Sequence, residues 1–161
     1  MSEPFIVNVG EAPALAHPQA GITVPFEDRA ERFGDFGINI TMLQPGEPGA
    51  MYHSESVQES FLVLGGNPIV ILDDRTHALK SWDFVHCPPG TNHVFVGAGA
   101  GPSWILMVGA RRPDATIHYP RSDAAAAHGA SAEESTDDSG KAYAAWSGEF
   151  RGTTMPWPPT R

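Results

Sequence analysis

One cysteine in 161 residues, Cys87, leaves no partner for an intrachain disulfide. Long apolar runs are missing as well. Trp104 to Ala110 is only strand length, far short of the ~20 residues a membrane helix needs, so no spanning segment is expected. Positive charge is scarce: ten Lys and Arg stand against nineteen Asp and Glu, a formal net charge of −9 at pH 7. The basic residues are scattered, with Arg111-Arg112 the one adjacent pair. Phosphate backbones therefore find no basic patch, and nucleic acid is excluded as an expected partner. The opening residues, Met1 to Val9, include an early acid and lack both a basic run and a signal-type apolar core, so a cytoplasmic location is expected. Internal repeats and long helical periodicity are also absent.

What the chain has instead is punctuation: 17 glycines and 15 prolines. Its length is one domain's worth, enough to bury a hydrophobic core. The chain reads as a lead over 1–33, a β-rich body over 34–112 and a tail over 113–161. The lead is expected to hold one short strand, Phe5 to Val9, able to add to the sheet edge of a second copy and so support a homodimer. From Phe36 onward, short β-rich runs alternate with turn signals, which argues for an all-β sandwich or barrel. The runs are Gly37 to Leu43, Ser60 to Leu64, Ile69 to Leu72, His77 to Lys80, Phe84 to Cys87, His93 to Val96 and Trp104 to Val108. Asp73-Asp74 reads as a hairpin turn after the Ile69 run. In the tail, Ser122 or Asp123 caps a helix to Ala127 with Gly129 beyond it, and Thr136-Asp137-Asp138 caps a second running through Ala145. The end, from Met155, is too proline-rich for a regular interior strand. Trp146, Phe150 and Trp157 are unusual cargo for a disordered tail, which implies that it packs on the body or on a second subunit.

Chemistry concentrates in two stretches, 41 to 66 and 82 to 97. In an extended strand His53 and Glu55 lie two apart and share a face. Glu59 keeps that parity across a possible turn at Val57-Gln58, and Phe61 and Val63 share its direction on the next strand. His93 follows the turn Pro88-Pro89-Gly90, and Phe95 shares its face. A neutral imidazole and carboxylate oxygens suit Zn²⁺, and Mn²⁺, Fe²⁺ or Ni²⁺ accept the same set. From spacing alone, a metal site and a set of ordinary surface-strand polar residues both remain open.

In combination these two stretches resemble the paired motifs of the cupin superfamily. The first motif is G-x5-H-x-H-x3,4-E-x6-G; here His53, Glu55 in place of the second His, Glu59 and Gly66 follow it. The second is G-x5-P-x-G-x2-H-x3-N; here Pro88, Gly90 and His93 follow it, while Trp82 and Gly97 stand at its first and last positions. The resemblance covers about residues 36 to 110 and is similar to small bacterial single-domain cupins. It implies a double-stranded β-helix, or jelly-roll barrel, with one divalent metal per chain, zinc first among the choices. By position His53, Glu59 and His93 inherit ligand roles, and Glu55 inherits one by substitution.

That substitution has a physical consequence. Two His and two Glu neutralise a divalent ion if both carboxylates bind, which weakens it as a Lewis acid and as an attractor of anions. Alternatively Glu55 stays off the metal and serves as a general base. Phe61, Cys87 and Phe95 are expected to line the pocket, with Cys87 also readable as a small buried hydrophobe. His86 is on the opposite strand face from Cys87. Three functions fit: a metal-dependent enzyme on a small molecule (isomerase, lyase, hydrolase or dioxygenase), a non-catalytic small-molecule binding or sensing protein with a structural metal, and an interaction module using the acidic tail.

Overall fold

Alternation of inward and outward side chains organises the whole body. The computed structural model describes residues 4–27 and 32–157. Among them the strands are β1 (Ala14–His17), β2 (Gly21–Pro25), β3 (Phe36–Leu43), β4 (Ser54–Glu55), β5 (Glu59–Gly65), β6 (Ile69–Leu72), β7 (Arg75–Ala78), β8 (Phe84–Cys87), β9 (His93–Val96), β10 (Ser103–Ala110), β11 (Ile117–His118) and β12 (Arg151–Thr153). Two short helices, α1 (Asp123–Ala126) and α2 (Ser139–Ala142), lie in the tail. A seven-stranded antiparallel sheet runs β12-β1-β2-β3-β10-β5-β8, opposite a three-stranded sheet β7-β6-β9, with a small pair β11-β4 beside them. The fold is all-β, a double-stranded β-helix with a small helical contribution.

The inner core lies between the two sheets. Leu43 from β3, Phe61 from β5, Val70 from β6, Val85 and Cys87 from β8, Phe95 from β9 and Ile105 from β10 pack there. Their sequence neighbours face the other way. Ile40, Met42 and Trp104 join Ala12, Ala14, Val24 and Met155 in a second cluster on the outer face of the large sheet. The period of two thus serves two cores. The four residues of β9 are all buried, because Phe95 faces inward while Val94 packs outward with Tyr52, Ile71, Ala125 and Ala130.

Turn chemistry closes these strands as the residues require. Asp73 and Asp74 both have positive φ, 43° and 62°, the mirror-image turn of a two-residue hairpin between β6 and β7. Gly66 has φ +85°, and a Cβ there would lie 2.5 Å from the Pro102 carbonyl oxygen. Only glycine fits where β5 hands over to β6.

The structure corrects the lead. Phe5 to Val9 forms no strand; the lead's strands are β1 and β2, which extend the large sheet beyond β3. Among the described residues of the one chain the apolar run at Phe5 pairs with no strand, whereas Ile22 and Val24 find Met42 and Ile40 across the β2–β3 ladder. The strand expected at His77 to Lys80 begins at Arg75, immediately after the Asp-Asp turn. The tail packs on the body: β12 pairs with β1, Trp104 Nε1 donates to the Pro156 carbonyl at 3.2 Å, and Ala132 and Ala142 pack with Met51 and Tyr119. Ser122 caps α1, its hydroxyl accepting from Ala125 N–H at 3.1 Å. Asp138 caps α2, which stops at Ala142, short of Ala145.

Gly66→Ala is expected to lower stability by about 2 kcal/mol or more, through positive-φ strain and the clash with Pro102. Thermal or urea unfolding checks this; an unchanged midpoint would show that the β5–β6 corner relaxes around a side chain.

Candidate metal centre

His53 and His93 face each other across an isolated antiparallel bridge. His93 N–H donates to the His53 carbonyl at 2.7 Å, and His53 N–H donates to the His93 carbonyl at 3.1 Å. The rings consequently lie 4.7 Å apart, tilted by 50°. His93 is delivered by the Pro88-Pro89-Gly90 turn, in which Thr91 N–H donates to the Pro88 carbonyl at 3.1 Å. Gly90, at φ +83°, donates its N–H to the Glu55 carbonyl at 2.7 Å, so the second motif is tied directly to the first.

Both rings are held in one tautomer. His53 Nδ1 lies 2.7 Å from the Met51 carbonyl oxygen, and His93 Nδ1 lies 3.1 Å from the Thr91 carbonyl oxygen. A carbonyl only accepts, so each Nδ1 carries hydrogen and each Nε2 presents a bare lone pair. Glu59 opens β5 and points the same way as Phe61 and Val63, into the barrel mouth; Gln58 beside it is exposed. Its cross-strand neighbour on β10 is Gly109, which places no side chain beside the carboxylate on that strand. One ligand atom each from His53, Glu59 and His93 lies within 4.8 Å of the others. Two imidazoles and a carboxylate at this separation fit a divalent ion of the Zn²⁺, Mn²⁺ or Fe²⁺ type.

Glu55 lines the same cavity but does not join that group of three. The cavity has a volume of about 260 Å³. Phe61 and Phe95 line it, with rings 4.6 Å apart. Cys87 does not. It is buried among Phe61, Val85 and Phe95 in the inner core, and burial pushes its thiol up to about 12. It faces inward, paired across the strands with Glu59, but packs in the core rather than on the cavity wall. His86, on the other face, is exposed and hydrogen-bonded to Ser60 at 3.0 Å. Sequence reasoning missed Asn39, Met107 and Arg111, which also line the cavity. The signal existed, since 39 shares inward parity with Leu43, and 107 and 111 share it with Ile105.

Electrostatics matches the geometry. Burial, reinforced by His53, lowers His93 to about 4, and burial also lowers His53. Burial, then the charge of Glu55, raises Glu59 to about 8, and burial raises Glu55. His93 Nε2 lies 3.2 Å from a Glu59 oxygen. Both shifts run in the direction that favours the proton of that contact on the carboxyl rather than on Nε2. A divalent ion held by these three side chains would displace that proton.

Residues 39–109 match the family profile described as "Cupin domain". Comparison with curated proteins gives no match. Among solved structures, the polyketide cyclase RemF of Streptomyces resistomycificus is similar at a TM-score of 0.59 and 18% identity, over 70% of this chain and 84% of that one. A sugar phosphate isomerase of the cupin superfamily from Silicibacter pomeroyi is similar at 0.56 and 20% identity, over 87% and 80%. A protein of Acidithiobacillus ferrooxidans is similar at 0.53 and 21% identity, and this chain spans 64% of its length. At these identities the likeness is one of fold.

The sign of the pH dependence follows from the shifts. Glu59, raised from an ordinary carboxylate value, stabilises the metal-free fold fully at low pH and loses that contribution as pH rises through about 8. His53 and His93, lowered, act oppositely but only below their unfolded value near 6.5. The melting temperature of metal-free protein should therefore fall by a few degrees between about pH 6.5 and 8, and saturating Zn²⁺ should abolish the fall. Calorimetric scans with and without Zn²⁺ check it; a flat metal-free profile would contradict the buried, protonated Glu59. The motifs, the jelly-roll barrel and the profile match agree: residues 39–109 are a cupin domain.

Proposed function

We propose that this protein is a metal-dependent enzyme that moves a proton on a small polar molecule. The observation that carries the reading is the division of four candidate ligands into three and one: His53, Glu59 and His93 converge, while Glu55 shares the cavity outside them. Three protein ligands leave coordination positions open, as a catalytic site requires, whereas four would close a tetrahedral structural site. With Glu55 off the ion, one carboxylate partly neutralises it and the site keeps net positive charge. A divalent ion held there supplies Lewis-acid polarisation of a substrate oxygen.

The chain's own residues supply the rest. Glu55, a carboxylate within the cavity whose pKa burial raises above the ordinary value, is suited to accept a proton from the substrate and return it to a neighbouring atom. Phe61 and Phe95 give an apolar floor that excludes water behind the substrate. A volume of about 260 Å³ holds roughly nine waters' worth of space, which restricts the substrate to a small molecule. An isomerase reaction is the form we favour. The sugar phosphate isomerase from Silicibacter pomeroyi shows that such an activity is named on this fold, and a base placed beside a metal suits transfer between adjacent carbons.

The test loads purified protein with Zn²⁺, Mn²⁺, Fe²⁺ or Ni²⁺. Deuterium wash-in from D₂O is followed by NMR on a panel of aldoses, ketoses and their phosphates. Wild type should bind about one ion per chain and exchange a carbon-bound proton. Glu55→Gln should keep the ion and exchange about 100-fold more slowly or worse. Metal binding without exchange on any panel member would favour a non-catalytic binding protein, and no metal binding would remove the enzyme reading.

A further inference from the structure

Arg111 is, among the described residues, the only cation lining the metal cavity. It follows β10 with the inward parity of Ile105 and Met107, and its N–H bonds the Asp35 carbonyl at 2.9 Å. Its guanidinium is already held. Nη1 donates to Glu27 Oε2 and to the Phe33 carbonyl, each at 2.8 Å, and Nη2 donates to Glu27 Oε1. Glu27 is fixed in turn, accepting from Phe33 N–H at 2.7 Å, and the guanidinium beside it lowers its carboxyl.

These bonds use both hydrogens of Nη1 and one of Nη2. They occupy the end-on edge of the guanidinium and leave the side-on edge, Nε–H and the second Nη2–H, with no acceptor among the described residues. That edge is a two-donor fork with the spacing of a carboxylate or phosphate. It passes over Gly37, another cavity residue: a Cβ there would lie 3.0 Å from Nη2, 3.5 Å from Cζ and 3.6 Å from Nε. The missing side chain at 37 keeps the fork open.

We propose that Arg111 anchors an oxyanion, a carboxylate or phosphate, on the molecule that enters the metal cavity. Glu27 orients the guanidinium so that its remaining fork needs no further ordering, which lowers the entropic cost of docking. The anion and the metal-facing oxygen are then held at two separate points of one small cavity, which fixes the substrate between them. This substrate class rests on the reading of the cavity as a metal-dependent active site, and it runs against the expectation of a neutral site that ignores anions.

The test separates the two. The probes are lactate and glycerol 1-phosphate, with glycerol as the uncharged control, titrated into metal-free and Zn²⁺-loaded protein. The Arg Nε–H resonances are followed by ¹H–¹⁵N NMR, and metal content is measured in parallel. One Nε–H signal should move with saturation for one or both anions and not for glycerol; which anion binds more tightly identifies the group. Arg111→Lys keeps the charge without the fork, and Gly37→Ala crowds the fork while keeping the Glu27 pair. Both should retain the metal and, by isothermal titration calorimetry, which needs no signal from residue 111, weaken anion binding at least about tenfold, the effect of losing charge-assisted bonds. Anion binding unchanged in both variants, or no saturable shift with either anion, would overturn the proposal while leaving metal content to judge the metal site. Failure to bind metal with an intact anion shift would overturn the enzyme reading alone.

Discussion

The paired backbone hydrogen bonds between His53 and His93 are the constraint on which the site depends. They join two segments forty residues apart in sequence and set the two imidazoles side by side, 4.7 Å apart and tilted by 50°. Each ring is then fixed by a carbonyl only two residues from itself, Met51 for His53 and Thr91 for His93. Ring position and tautomer are thus properties of the backbone, settled before any ion arrives. Such preorganisation separates a metal site from a chance cluster of polar side chains.

The segment that carries His53 would be weakly held by the barrel alone, and the tail completes it. Tyr143, at the end of α2, accepts a hydrogen bond from Met51 N–H at 3.1 Å, and the Ala130 carbonyl accepts from Tyr52 N–H at 2.6 Å. Ser54 and Glu55 pair with His118 and Ile117, and Ser56 N–H donates to the Thr116 carbonyl at 2.9 Å. From 51 to 56, one side is bound to the His93 strand and turn and the other to residues beyond 115. The aromatic and alanine-rich tail is therefore part of the scaffold of the site, although among the described residues it contributes no side chain to the cavity lining.

Much of the body was legible in the sequence because inward and outward residues alternate strictly there. The runs at Ile69, Phe84 and His93 became strands with those bounds, and the Asp73-Asp74 turn and the Ser122 cap formed as their chemistry dictates. In the lead, Phe5 to Val9 has strong strand composition yet pairs with no strand of its own chain among the described residues, whereas Ala14–His17 is weak by composition and is made a strand by β2 and β12 on either side. Parity gives direction and not depth or reach. It placed Cys87 on the inner face but did not show that the residue packs in the core rather than on the cavity wall, and it put Glu55 on the face of His53 without showing that the carboxylate stays outside the three-atom group. Arg111 escaped notice because its partner Glu27 lies 84 positions away, a distance no local pattern spans.

The central claim is that three side chains hold the ion and the fourth carboxylate does not. Anomalous diffraction from crystals of the Zn²⁺-loaded protein tests it most directly. The account predicts one peak per chain within ~2.0–2.2 Å of His53 Nε2, His93 Nε2 and a Glu59 oxygen, with Glu55 outside bonding distance. A peak bonded to Glu55 as a fourth protein ligand in a closed tetrahedron, or a peak away from His93, would contradict it.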